Sequence, residues 1–252
     1  MTDNAILVQH EDDVTTLTLN RPEKLNAMDP PMVVALMETL RAVDAYPETK
    51  VIVLTGAGRG FCAGGDITSF GSSPDHRVHR RGWHLVQTLL QVEKPVVAKV
   101  NGAASGLGLV VALLADCVVA AEDAKLGDPH VNLGLVAGDG LAVILPLVIG
   151  PHRAKELLML GRHISGAEAA RMGMINRAVE REVLDRVVDD LASDLASQPT
   201  YAVRATKAVV NRYVRRMADD VLDLALAYEE ISRGLPEYPE AVARWKAQRT
   251  AR

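Results

Sequence analysis

The chain has 252 residues, of which 48% are hydrophobic and only 4% aromatic, so it can bury a large core built from Ala, Val, Leu and Met. Acidic and basic residues are interspersed to a net charge of −4, and the absence of a long basic stripe excludes a nucleic-acid partner. The two cysteines, Cys62 and Cys117, are too few for a disulfide framework, and no stretch reaches the roughly 18 apolar residues of a membrane span; a soluble cytoplasmic protein with free thiols is expected.

In chain order, residues 6–9 and 15–19 are short aliphatic runs flanking the acidic HEDD, which predicts a hairpin. Asp29 precedes Pro30 and Pro31 and an amphipathic run, the signature of a capped helix over 31–45. Residues 51–55 form a purely apolar strand, followed by GAGRGFCAGGD and a helix through WHLVQTLLQV. The apolar strand 96–100 leads into NGAASGLG and the helix LVVALLAD, and CVVAA at 117–121 is a third apolar strand. Continuous apolar strands alternating with helices predict a mostly parallel sheet covered by helices, an α/β architecture. Ser165 and Glu168 spell a capping box. Helical patterns then run over 181–196, 199–215, 217–233 and 236–249, so the expected organisation is a core over 1–200 and a helical region over 201–252.

Both glycine-rich segments follow an apolar strand and precede a helix, where free backbone N–H groups suit an anion or a developing oxyanion. Neither spells a dinucleotide, P-loop or serine-hydrolase motif. No set of histidines and cysteines has metal-ligand spacing. In LGDPHVNLGLVAGDG, one histidine, His130, follows a proline among aliphatic residues, with Asp139 nine positions later.

Five motifs, LNRPEKLNAM, GAGRGFCAGGD, KPVVAKVNGAASGLG, LGDPHVNLGL and GRHISGAEAARMGMINRAV, follow one another in a spacing that resembles the enoyl-CoA hydratase/isomerase family, the crotonase superfamily. The resemblance covers nearly the whole chain. It implies a crotonase-like spiral of β-β-α units, a C-terminal helical region used in trimerisation, either a homotrimer or a dimer of trimers, and acyl-CoA thioesters as substrates. It implies no cofactor beyond the coenzyme A carried by the substrate. Motif by motif, it places two oxyanion-holding amides on Gly65 and Leu107. It places coenzyme A contacts on Lys24, Leu25, Ala27, Ala63, Asp66 and Ile67, with the charges of Arg21, Lys24 or Arg59 near the pocket mouth.

Hydratases that the chain resembles use two glutamates, which fall here on Val110 and His130. Valine can neither give nor take a proton, so ordinary two-glutamate hydration is not expected. His130 becomes the expected acid/base, a neutral imidazole oriented by Asp139, with Asp128 as second choice for that partner. Asp139 reads equally as a helix N-cap. Two further readings stay open: a carbon-carbon bond (retro-Claisen) hydrolase of a β-diketone, in which the His/Asp pair activates water, and a catalytically silent acyl-CoA binder.

Overall fold

The computed structural model describes residues 5–68 and 76–250. Strands β1 (Ile6–Glu11) and β2 (Val14–Leu19) form the expected antiparallel hairpin, with Asp12 at the turn in the left-handed region at φ 49°. Helix α1 (Pro30–Ala45) begins where the Met32 N–H donates to the Asp29 carboxylate at 2.9 Å; its first two positions are prolines, which need no helical donor.

Three β-β-α units follow. They are β3 (Val51–Gly56), β4 (Gly60–Cys62) and α2 (His76–Gln91); β5 (Val96–Val100), β6 (Ala103–Ser105) and α3 (Leu107–Leu113); and β7 (Cys117–Ala121), β8 (Lys125–Gly127) and α4 (Leu141–Leu160). After them come β9 (His163–Ser165), α5 (Gly166–Arg171), β10 (Arg177–Val179), α6 (Leu184–Ser197), α7 (Thr200–Arg233) and α8 (Glu237–Thr250). The first strand of each unit enters a six-stranded sheet ordered β1-β2-β3-β5-β7-β10, and the second enters a four-stranded sheet ordered β4-β6-β8-β9. Pairs other than β1-β2 and β8-β9 are parallel. Each chain crossing from the large sheet to the small one therefore ends at the same side, and that stacks the two glycine turns and the segment after β8 against one another.

The strands of the large sheet coincide with the continuous apolar runs because helices cover them; β3 is buried along its whole length. Ser165 and Glu168 form the capping box of α5 as expected. The sequence predicts separate helices over 199–215 and 217–233, whereas α7 is one helix of 34 residues. Nothing at Arg215–Arg216–Met217–Ala218 breaks a helix, since all four are good helix formers. The apparent boundary is a change of burial: the fully buried residues of α7, Ala218, Leu222, Ala225, Leu226, Glu229 and Ser232, all lie in its C-terminal half. Helix α4 is interrupted at Gly150, φ 77°, just ahead of Pro151. Among the described residues no helix is long and apolar enough to cross a membrane.

Candidate active site

The first glycine turn follows β4. Met28 N–H donates to Gly64 O at 2.8 Å and Asp66 N–H donates to Met28 O at 2.9 Å, so Met28 and Gly65 lie opposite each other in a single parallel bridge. Successive peptide groups in an extended segment point to alternate sides, and the Gly65 N–H therefore points away from Met28. The second turn follows β6. Gly106, at φ 49° and ψ −124°, sits at the N-terminus of α3, and Leu107 is the first helical residue, whose N–H has no partner within the helix.

The two turns touch through their backbones. A Cβ on Gly64 would stand 2.8 Å from the Ser105 carbonyl oxygen and 3.8 Å from the Leu107 nitrogen, and Gly64 is at φ 102°, so both space and conformation require glycine there. Gly65 and Leu107 both line a cavity of about 120 Å³. Its walls also include Ala63, Ile67, Pro30, Val33, Leu133 and Leu135 on the apolar side, and His130, Asp139, Glu229, Glu230, Arg233 and Tyr238 on the polar side.

His130 opens a short 3-10 turn, His130–Leu133, directly after Pro129. Its ring lies against the second glycine turn, since a Cβ on Gly106 would be 3.4 Å from His130 Cε1. Nδ1 hydrogen-bonds the Asp128 carboxylate, which also accepts from the His130 backbone N–H at 3.2 Å. Nε2 faces Asp139 Oδ2 at 3.7 Å. The order Asp128, His130, Asp139 corrects the expectation that Asp139 fixes the ring. Asp128 takes that role because a carboxylate two residues back folds over a tight turn onto the following N–H and the ring together. Nor does Asp139 cap a helix: α4 begins at Gly140, φ 126°, with no side-chain cap.

Burial and the neighbouring carboxylates act on the charge state of the histidine in opposite directions. Burial alone would lower its pKa, but the charge of Asp128, the charge of Asp139, the hydrogen bond the ring donates to Asp128 and the charge of Glu229 outweigh it and raise it from 6.5 to about 10. The flanking carboxylates thus favour the imidazolium form of His130. Asp139 moves upward to about 7, pushed first by burial and then by the charges of Asp128 and Glu229, against the pull of His130. Its Oδ1 is enclosed and has no hydrogen-bond partner among the described residues. Proton exchange in this cavity is therefore a property of the His130–Asp139 pair.

The sign for stability follows. A histidine raised in the folded state stabilises fully below pH 6.5, and that contribution is lost as pH rises to about 10. Asp139, raised from 3.8 to about 7, acts in the same direction over its own lower window. The melting temperature should accordingly fall more steeply between pH 6.5 and 10 in the native protein than in His130→Asn. Differential scanning fluorimetry across that range measures it, and parallel curves would refute the assigned charge state.

Of the residues matched to coenzyme A contacts, Ala63 and Ile67 line the cavity. Lys24, Leu25 and Ala27 stand beside it around Asp66: Lys24 Nζ is 3.7 Å and Arg21 Nη2 3.2 Å from Asp66 Oδ2, Arg21 donates to Ala27 O at 2.6 Å, and Ala63 N–H donates to Leu25 O at 2.9 Å. Burial raises the Asp66 pKa, but hydrogen bonds from Thr68 and Arg21 and the charge of Lys24 bring it below the usual value. Arg21 is committed to Asp66 and Asp29, which leaves Lys24 and the exposed Arg59 as the outward charges.

Val110, by contrast, is fully buried against Gly140 and does not line the cavity. The sequence alone did not reveal Glu229, Glu230, Arg233 and Tyr238. Together with Leu226, the first three fall at i, i+3, i+4 and i+7 along α7, one helix face, and that spacing was the available signal. Among the described residues no group of three or more His, Cys, Asp or Glu is placed to hold a metal ion.

Gly65, Leu107, His130 and Asp139 thus line one cavity, and the comparisons with known proteins give the family the chain belongs to. The model of the enoyl-CoA hydratase/isomerase family matches residues 9–232. The chain belongs to the enoyl-CoA hydratase/isomerase family. Relatives within the family include a 1,2-epoxyphenylacetyl-CoA isomerase of Escherichia coli (strain K12), 38% identical over 97% of this chain and 96% of that protein. A crotonyl-CoA hydratase of Syntrophomonas wolfei is 31% identical over 93% of this chain and 95% of its own length. The crystal structure of an enoyl-CoA hydratase/isomerase from Mycobacterium paratuberculosis has a TM-score of 0.88 at 35% identity, covering 95% of this chain and 97% of that one. The family's fold is the mixed α/β arrangement with a helical C-terminal region described above.

Proposed function

We propose that this member of the family is an acyl-CoA isomerase, moving a carbon-carbon double bond by carrying one proton between two carbons of the same thioester. The observation that carries this reading is Asp139, a carboxyl in the cavity wall facing His130 Nε2 at 3.7 Å and raised into the range where it gives and takes protons near neutral pH. The Asp139 carboxylate takes a proton from the carbon beside the thioester carbonyl of a β,γ-unsaturated acyl-CoA. The electron pair moves into the carbonyl, and the Gly65 and Leu107 amides hold the enolate oxygen. Asp139, whose proton exchanges with water while the enolate is held, then gives a proton to the γ carbon, leaving the α,β-unsaturated thioester. His130, as imidazolium, supplies the opposite charge beside the carboxylate.

Hydration needs a second group to work on water, and Val110 supplies none. The retro-Claisen reading needs His130 as a neutral base, whereas Asp128 and Asp139 favour its protonated form. The E. coli relative, a 1,2-epoxyphenylacetyl-CoA isomerase, also isomerises a coenzyme A thioester, which supports this assignment. Lys24, Leu25, Ala27, Ala63, Asp66 and Ile67 are assigned to coenzyme A, with no other cofactor. Exposed apolar side chains on α7, Tyr201 at 86%, Tyr213 at 75% and Val209 at 66%, support assembly into a trimer or dimer of trimers.

Incubation with matched β,γ- and α,β-unsaturated acyl-CoA esters, followed by mass spectrometry and chromatography, tests the reading. Interconversion without change of mass is expected. Products that gain the mass of water would identify a hydratase, cleavage of a β-diketone would identify the hydrolase, and binding without conversion would identify a silent binder.

A further inference from the structure

The loop carrying Asp139 rests on the C-terminal end of α7. A Cβ on Gly138 would stand 2.6 Å from both Cβ and Oε2 of Glu229 and 2.7 Å from Ala225 O, so the loop backbone lies directly on that helix face. Val136 N–H donates to Ser232 Oγ at 3.2 Å, and Ser232 Oγ donates to Glu229 O at 2.7 Å. Glu229 is 6% exposed and ion-paired to Arg233, whose guanidinium lies 5.8 Å from the centre of the Tyr238 ring. Packing alone does not call for a carboxylate here. A buried ion pair is costly to desolvate, and an uncharged side chain of the same shape would meet Gly138 equally well. The glutamate instead adds a further negative charge near His130, which already has Asp128 and Asp139 beside it.

We propose that Glu229 is a positioning residue of the active site, which holds the 136–140 loop on α7 and fixes how firmly the His130–Asp139 pair keeps its proton. This rests on the proton-transfer reading given above. Of the charged groups facing the pair, Asp128 comes from the segment after β8, and Glu230 and Arg233 come with Glu229 from α7. From helices α2 and α3, Val86 and Val110 pack beside Gly140, next to Asp139. Loss of the Glu229 charge weakens the hold on the proton, and loss of the Arg233 charge strengthens it.

The test is an NMR titration of the His130 ring and the Asp139 carboxyl in the substrate-free, full-length protein. Glu229→Gln should lower both midpoints by about half a unit to one unit, and Arg233→Gln should raise them. The pH profile of turnover should move in the same directions, while Ser232→Ala should lower turnover severalfold with the midpoints unchanged. Unmoved midpoints in folded Glu229→Gln overturn the proposal; should that variant not fold, unmoved or lowered midpoints in Arg233→Gln overturn it. Midpoints that move as stated in a protein that converts no enoyl-CoA support the coupling and overturn only the reaction assigned to the pair.

Discussion

Asp139→Asn is expected to lower turnover of an unsaturated acyl-CoA by about 10²- to 10⁴-fold, the range for loss of a general acid/base. Asparagine has nearly the same shape, so thioester affinity should stay within a few fold of the native value. Asp139 is 8% exposed and lies among carboxylates that resist its ionisation, so removing its charge should leave the melting temperature unchanged or higher. The same substitution removes one of the two nearest charges that hold His130 as a cation, and the His130 pKa should fall. Single-turnover kinetics, calorimetric titration with a saturated acyl-CoA and thermal melting separate these effects. Turnover within about threefold of native would mean that Asp139 carries no proton in the reaction.

Gly64→Ala is expected to cost about 10²- to 10³-fold in turnover, comparable to removal of one oxyanion donor. The added methyl would meet the Ser105 carbonyl oxygen at 2.8 Å, and the residue would remain at φ 102°, so the two glycine turns must move apart or the chain must bear the strain. A stability loss of about 1–3 kcal/mol should accompany it. Gly150→Ala is the control. Gly150 has a φ of 77° but meets nothing within 4 Å, so alanine there should cost stability without affecting turnover. Equal losses of activity in the two variants would show that strain alone, and not the contact between the turns, is responsible.

The parts of the fold that could be read from sequence are those in which local pattern and tertiary burial agree. The apolar runs at 51–55, 96–100 and 117–121 are strands because both faces of the large sheet are covered, so no alternation dilutes the signal. The strands β4, β6 and β8 escaped notice because each is three residues long and adjoins glycine, where spacing carries little information. At the site, the convergence of Gly65, Leu107 and His130 on one cavity follows the motif order. The choice between Asp128 and Asp139 as ring partner did not, because it depends on the turn at Pro129 rather than on separation along the chain. The charge of His130 depends on burial and on Glu229, a residue that reaches the site only through the packing of α7. For the same reason the division into a core and a C-terminal helical region conceals that α7 and α8 furnish the polar wall of the cavity.

In the proposed reaction one thioester sits with its carbonyl oxygen between the amides of residues 65 and 107 while Asp139 exchanges a proton with its carbon skeleton. Deuterium incorporation from heavy water into an unsaturated acyl-CoA, followed by NMR, measures that exchange at each carbon. Label is expected at the carbon beside the carbonyl and at the γ carbon, with no water added across the double bond and no label with Asp139→Asn. An ester that binds but is neither isomerised nor labelled, or one labelled equally by Asp139→Asn, would overturn the proposed reaction.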